Sequence, residues 1–132
     1  MGVLWTVWPL DSQMNAWLQE LEVPHPNVLS RFPTGCEIKT PLSRLHAFNA
    51  EIRGNGIGGA WQASIVSVLG GDKGEWTLLL NINEYSGDYE QQRLWFEKGW
   101  ESLIKTILRH LIKDTGPLVL IDDASSQPQV IV

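Results

Sequence analysis

The two apolar segments at residues 60–70 and 76–83 constrain the fold more than any other feature of this sequence. The first, AWQASIVSVLG, is rich in branched and apolar side chains that suit a strand. In the second, apolar residues alternate, so one face of a strand would carry Trp76, Leu78, Leu80 and Ile82. The intervening GGDKGE has the glycine and aspartate content of a hairpin turn. The sequence therefore predicts an antiparallel strand pair here.

The first third of the chain predicts a strand, a helix and a surface loop. Residues 3–8, VLWTVW, have the branched and aromatic side chains of a strand and are followed by proline. Asp11 or Ser12 can cap the next helix, whose apolar residues recur at helical spacing: Met14, Trp17, Leu18 and Leu21. Three prolines within residues 23–33 then indicate an extended loop across the surface.

Residues 35–59 predict short helices followed by a turn-rich stretch. Thr34 and Glu37 have the spacing of a capping box, and Pro41 suits a first helical position, so one or two short helices are expected within residues 35–48. The stretch NAEIRGNGIGG is rich in turn formers, and its last six residues formally match a dinucleotide-binding motif. That motif requires a helix after the glycines, whereas a strand is expected here, so we interpret the glycines as a loop or bulge.

A long helical pattern follows Asp88, and its apolar stripe consists of Phe96, Trp100, Leu103, Ile104, Ile107, Leu108 and Leu111. Lys113, Asp114 and Gly116 form a C-terminal stop signal. PLVLID then predicts a buried strand, and the terminal VIV predicts a short final strand. The expected fold is α+β: a mainly antiparallel sheet of about four to five strands, with helices mostly on one face and one long C-terminal helix.

Composition restricts the class of protein. The chain of 132 residues suits a single domain spanning residues 1–132. No apolar stretch is long enough to span a membrane and no secretory signal is recognisable, so we expect a cytoplasmic protein. The net charge of −5, without a basic cluster, argues against nucleic-acid binding. Most of the seven tryptophans are expected to lie in the core.

No cofactor, metal or catalytic site is predicted. His25, His46 and His110 lie far apart, without the i, i+4 spacing of a helical metal pair. Cys36 is the single cysteine; it cannot form an internal disulfide, and its flanks match no nucleophile motif, so we expect it to be buried and inert.

Acidic and aromatic residues gather in NEYSGDYEQQ, and two more carboxylates follow at the end of the strand PLVLID. Aromatic anchors flanked by charge suit docking onto a basic protein surface. A solvated loop beside a helix N-terminus is the structural alternative. The predicted partner-binding residues are Glu84, Tyr85, Asp88, Tyr89, Glu90, Asp122 and Asp123.

In size, acidity, tryptophan content and this acidic and aromatic patch, the chain resembles the small immunity proteins of bacterial toxin systems. The resemblance implies a cytosolic, non-enzymatic protein that binds and neutralises a cognate toxin domain, with carboxylates such as Glu84, Asp88 and Glu90 mimicking a substrate or covering a basic active site. Two alternatives stay open. One is a small enzyme using Glu84, Asp122 or His46 as acid and base groups. The other is an oligomeric accessory protein, such as a homodimer.

Overall fold

The computed structural model describes residues 4–45, 48–54, 59–67, 77–85, 87–97, 101–123 and 127–132. These residues form an antiparallel sheet and three helices. The strands are β1 (Trp5–Pro9), β2 (Phe48–Gly54), β3 (Gly59–Ser67), β4 (Thr77–Tyr85), β5 (Leu94–Glu97), β6 (Leu118–Asp122) and β7 (Gln129–Ile131). The helices are α1 (Ser12–Glu20), α2 (Gly35–Leu42) and α3 (Glu101–Thr115).

The first strand of the chain lies inside the sheet, whose order is β2-β3-β4-β5-β1-β6-β7. β1 pairs with β5 on one side and with β6 on the other, and both pairings are antiparallel. β5 and β6 are therefore parallel to each other, and a parallel relation requires a long crossover. The segment that contains α3 supplies this crossover.

One face of the sheet carries the main core. Alternate residues of β1, β3, β4, β5 and β6 point to this face, where they pack against α2 and α3. Trp61, Leu80, Phe96, Ile104 and Leu111 are among its most deeply buried members, each with no more than 2% of its surface exposed. We call this the covered face.

On the opposite face, α1 is the one described helix that packs, and it lies at one end of the sheet. There Leu10, Leu18 and Val23, from α1 and its flanks, pack on Val119, and Ile121 and Val130 lie against them. This smaller cluster includes no residue of β2, β3, β4 or β5. We call the part of this face formed by β1 to β5 the open face.

Several local predictions are confirmed. Asp11 caps α1, since its Oδ1 accepts a hydrogen bond from the Met14 N–H at 2.7 Å. Thr34 and Glu37 form both bonds of a capping box at the start of α2. β3 and β4 pair antiparallel, and Leu78, Leu80 and Ile82 share one buried face. α3 ends beside Gly116, which has a positive φ of 86°.

The predicted long helix is wrong over its first part. Leu94–Glu97 is strand β5, and α3 extends over Glu101–Thr115, followed by two further strands. The positions of Phe96 and Trp100 fit the helical spacing of the later stripe, but Phe96 is fixed by pairing with Trp5 and Leu80 on neighbouring strands. Such pairing between distant segments outweighs local periodicity.

The number of strands was also underestimated, because the described residues already form seven. The stretch 49–59 was expected to be turn-rich, but Phe48–Gly54 forms strand β2, which pairs with β3 from Phe48↔Ser67 to Gly54↔Trp61. β2 lies at the sheet edge, where Glu51, Ile52 and Arg53 are exposed, so it lacks the apolar signal of a buried strand. Pro41 stands near the end of α2 and begins no helix of its own.

Of two burial predictions, the one for Cys36 is wrong, and the one for the tryptophans holds for two of the five that the structure describes. Trp5 and Trp61 are buried, but Trp8 and Trp17 are 38% and 36% exposed, and Trp95 is half-buried. Trp76 and Trp100 lie outside the described residues. Cys36 is exposed in the first turn of α2 and is therefore not a core residue.

Candidate functional site

The segment Gly87–Gln92, which we call the acidic loop, connects the region after β4 to β5 and is held by its own last residue. Gln92 is 1% exposed, and its Nε2 donates to the carbonyl oxygens of Gly87 and Glu90, both at 3.0 Å. The Glu90 N–H also donates to the Gly87 carbonyl at 3.4 Å. A buried side chain thus closes the loop from within.

The acidic loop is also attached to the start of α2. The Gln92 N–H donates to the Pro33 carbonyl at 2.8 Å, and Thr34 and Gln91 form an isolated antiparallel bridge. The Cys36 N–H, one of the helix donors without an intrahelical acceptor, donates to the Asp88 carbonyl at 2.8 Å. Lys39 Nζ lies 2.6 Å from Asp88 Oδ1. The loop is therefore fixed at both ends and through its middle.

The start of α2 is in turn fixed by an ion pair. The Arg31 guanidinium donates to both carboxylate oxygens of Glu37, at 2.7 and 2.8 Å. The hydrogen bonds from Arg31 lower the pKa of Glu37 from 4.5 to about 2, against the opposing effect of burial and with further help from the Thr34 backbone N–H. Glu37 therefore stays ionised and keeps the loop's support in place.

The acidic loop has four exposed residues, Asp88 to Gln91, and Tyr89 is the most exposed aromatic side chain among them. Tyr89 is 87% exposed, and Glu90 is exposed beside it. Asp88, by contrast, keeps half of its side chain exposed while pairing with Lys39. Glu84 and Tyr85, the other predicted residues of this patch, are the last two residues of β4, where Tyr85 pairs with Gly59.

The structure separates Asp122 and Asp123 from this loop. Trp5 pairs with both Asp122 and Phe96, so Asp122 lies level with the far end of β5, whereas the acidic loop precedes its first residue. Asp123 instead holds the start of β1: its N–H donates to the Leu4 carbonyl at 3.0 Å, and its Oδ1 accepts from the Leu4 N–H at 3.2 Å. The seven predicted residues thus form two groups at opposite ends of the strands.

The acid and base groups of the enzyme alternative are not brought together either. Glu84 lies on β4 and Asp122 on β6, three strand spacings across the sheet, or about 14 Å. His46 lies outside the described residues. Within the described ranges, no three His, Cys, Asp or Glu side chains are grouped to hold a metal ion.

A second surface feature, which the sequence reasoning missed, is a groove on the open face between β1 and β5. It has a volume of about 200 Å³ and is formed mainly by the side chains of Leu4, Thr6, Trp8, Phe32, Arg93 and Trp95. We call it the aromatic groove. The sequence shows only that VLWTVW is a nearly continuous apolar run, which places apolar residues on both faces of β1.

Comparisons with protein-family models, with curated proteins and with solved structures found no match for this chain. Among the helices described, none is long and apolar enough to cross a membrane.

Proposed function

We propose that this protein is a protein-binding module, and more specifically a cytoplasmic immunity protein that binds and neutralises a cognate bacterial toxin domain. The proposal places the centre of the interface at the acidic loop, on Tyr89 and Glu90. A basic partner surface fits both the local carboxylates and the net charge of −5.

The observation that carries this proposal is an almost fully exposed tyrosine on a loop that is tied down. Tyr89 is 87% exposed, yet the backbone on both sides of it is held through Gln92, Cys36 and Pro33. Tyrosine is a frequent hot-spot residue in interfaces, because it contributes a large contact area and a hydroxyl group. A loop that is already ordered loses little further entropy on binding.

The geometry also sharpens which carboxylates suit a binding test. Asp88 supports the loop through Lys39, so replacing it would change both the fold and the surface. Glu90 is exposed, and its side chain has no hydrogen bond or ion pair among the contacts described. Asp122 and Asp123 would join this interface only if the partner spans the sheet from one end to the other.

The test begins with the product of the gene directly upstream, co-expressed with the tagged protein and recovered as a complex. Affinity is then measured by calorimetry for the double variant Tyr89→Ala/Glu90→Lys. Because both changes lie at the proposed centre, we expect a loss of about 3 kcal/mol or more, a factor of over one hundred in Kd.

The matched control is Trp17→Ala/Glu20→Lys, which removes an exposed aromatic residue and reverses an exposed acid on α1. This control should bind with unchanged affinity. If the upstream product does not bind at all, the immunity proposal fails. If it binds but the two double variants weaken it equally, the acidic loop is not the interface.

A further inference from the structure

The aromatic groove has chemistry distinct from that of the acidic loop. Its walls are mainly apolar and aromatic, and Trp8 and Trp95 are partly exposed although they are among the largest apolar side chains of the sheet. Its volume of about 200 Å³ is below the usual range for drug-sized ligands, which begins at about 300 Å³. The groove therefore suits a molecule with one small ring system.

The walls of the groove are held in place without a ligand. Trp8 Nε1 donates to Thr6 Oγ1 at 3.0 Å, which fixes the orientation of the indole ring. Thr6 Oγ1 donates in turn to the Ile121 carbonyl of β6 at 3.4 Å. The ring centroids of Trp8 and Phe32 lie 6.4 Å apart, and the two ring planes are tilted by 56° to each other. A preformed site of this kind needs little rearrangement to accept a ring.

Among the described residues, one charged side chain lines the groove, and it is a cation. Arg31, Lys39, Arg53 and Lys105 each pair with a carboxylate elsewhere, whereas no ion pair of Arg93 occurs within the described ranges. Arg93 is exposed, and none of the described Asp or Glu residues lines the groove beside it. A guanidinium presents a fork of N–H donors that matches a carboxylate.

We propose that the aromatic groove binds a small aromatic carboxylate, with its ring against Trp8, Phe32 and Trp95 and its carboxylate on Arg93. The ring would supply apolar contact and the guanidinium would distinguish the anion from a neutral analogue. This inference does not depend on the proposed immunity function, because it uses none of the residues of the acidic loop.

The test uses phenylacetate as the probe and phenylacetamide as its neutral counterpart. Binding is followed through the tryptophan indole N–H signals in two-dimensional NMR spectra, with Trp8 and Trp95 assigned from Trp→Phe variants. We expect these two signals to shift saturably, with a dissociation constant in the millimolar range. A ligand of about ten heavy atoms in an open groove binds weakly. Phenylacetate should bind about five- to tenfold more tightly than phenylacetamide.

Variants separate the two parts of the proposal. Arg93→Gln should reduce phenylacetate to the affinity of phenylacetamide, while Arg109→Gln, an exposed arginine on α3, should change neither affinity. Trp8→Ala should lower the affinity for both probes. If neither probe shifts Trp8 or Trp95, or if Arg93→Gln leaves the preference for the anion unchanged, the proposal is overturned.

Discussion

The covered and open faces of the sheet both carry large apolar side chains along β1 and β5, yet these side chains are buried to different degrees. Phe96, on the covered face, is fully buried, whereas its neighbour Trp95, on the open face, is only half-buried. Likewise Val7 is 2% exposed and Trp8 is 38% exposed. The difference arises because α2 and α3 pack on one face, while α1 packs only over β6 and β7 on the other. Apolar character therefore does not by itself decide which strand residues become core and which remain available for binding.

The sharpest test of this contrast compares Phe96→Ala with Trp95→Ala. Phe96→Ala should lower the free energy of unfolding by about 3–5 kcal/mol, because it leaves a cavity in a packed core. Trp95→Ala should lower it by less than about 1.5 kcal/mol, because its side chain is partly in water. Urea unfolding followed by circular dichroism measures both. Equal losses would show that the open face is packed as firmly as the covered one.

The start of α2, which supports both the covered face and the acidic loop, depends on Glu37. Glu37→Gln should lower the free energy of unfolding at pH 7 by about 2 kcal/mol, because it replaces a charge-assisted bidentate pair. The pKa of Glu37 is lowered in the folded protein, so the unfolded chain binds this proton more readily. The stabilisation is therefore complete above the ordinary pKa of 4.5 and is lost as the pH falls towards about 2.

Unfolding curves at several pH values check the sign of this effect. The difference in stability between the wild type and Glu37→Gln should shrink steadily as the pH falls below 4.5. A difference that stays constant down to pH 2 would mean that the Arg31–Glu37 pair contributes through its shape and not through its charge.

A substitution at the end of α3 should change the free energy of unfolding by a smaller amount. Gly116 has φ +86°, and a Cβ at this position would lie 3.0 Å from Ser30 Cβ. Gly116→Ala should therefore lower the free energy of unfolding by about 1 kcal/mol. Thermal unfolding compares it with Gly116→Asn, in which the side chain tolerates the left-handed conformation better. If alanine proves the less harmful of the two, contact with Ser30 matters more than backbone strain.

The smallest predicted change concerns Asn81, which faces the open side between Leu80 and Ile82. Asn81 is 4% exposed; its Oδ1 accepts from Gln62 Nε2 at 2.8 Å, but its Nδ2 has no acceptor among the described residues. Asn81→Leu should raise the free energy of unfolding by about 0.5–1 kcal/mol, because it removes an unpaired buried donor while Gln62 remains free to bond to water. Denaturant unfolding measures the change. If Asn81→Leu lowers the free energy of unfolding instead, the Gln62–Asn81 hydrogen bond contributes more to stability than the unpaired donor costs.

Local signals in the sequence were sufficient for some elements and misleading for others. The caps at Asp11 and Thr34, and the stop at Gly116, were predictable because each depends on residues within one helical turn. β5 was not, because four residues carry little periodicity of their own and the following helical stripe extends into them. Edge strand β2 was missed because it has a neighbour on one side only and little apolar surface to bury.

The candidate sites divide in the same way. Tyr89 and Glu90 were identified from sequence as an aromatic residue beside an acid in a loop, but their grouping with Asp122 and Asp123 depended on a strand order that no local pattern contains. The aromatic groove could not be predicted, because Trp8, Phe32 and Trp95 come from three segments whose meeting requires β1 to lie beside β5.

The sequence by itself determined the α+β class, the antiparallel β3–β4 pair and the positions where helices are capped, since these follow from alternation and from contacts between near neighbours. Only the tertiary structure decided that β1 lies between β5 and β6 and that, among the described helices, α2 and α3 pack on one face while α1 packs over β6 and β7 on the other. Strand order and helix placement decide which apolar side chains are removed from water, and the free energy of that burial depends on contacts between residues far apart in sequence.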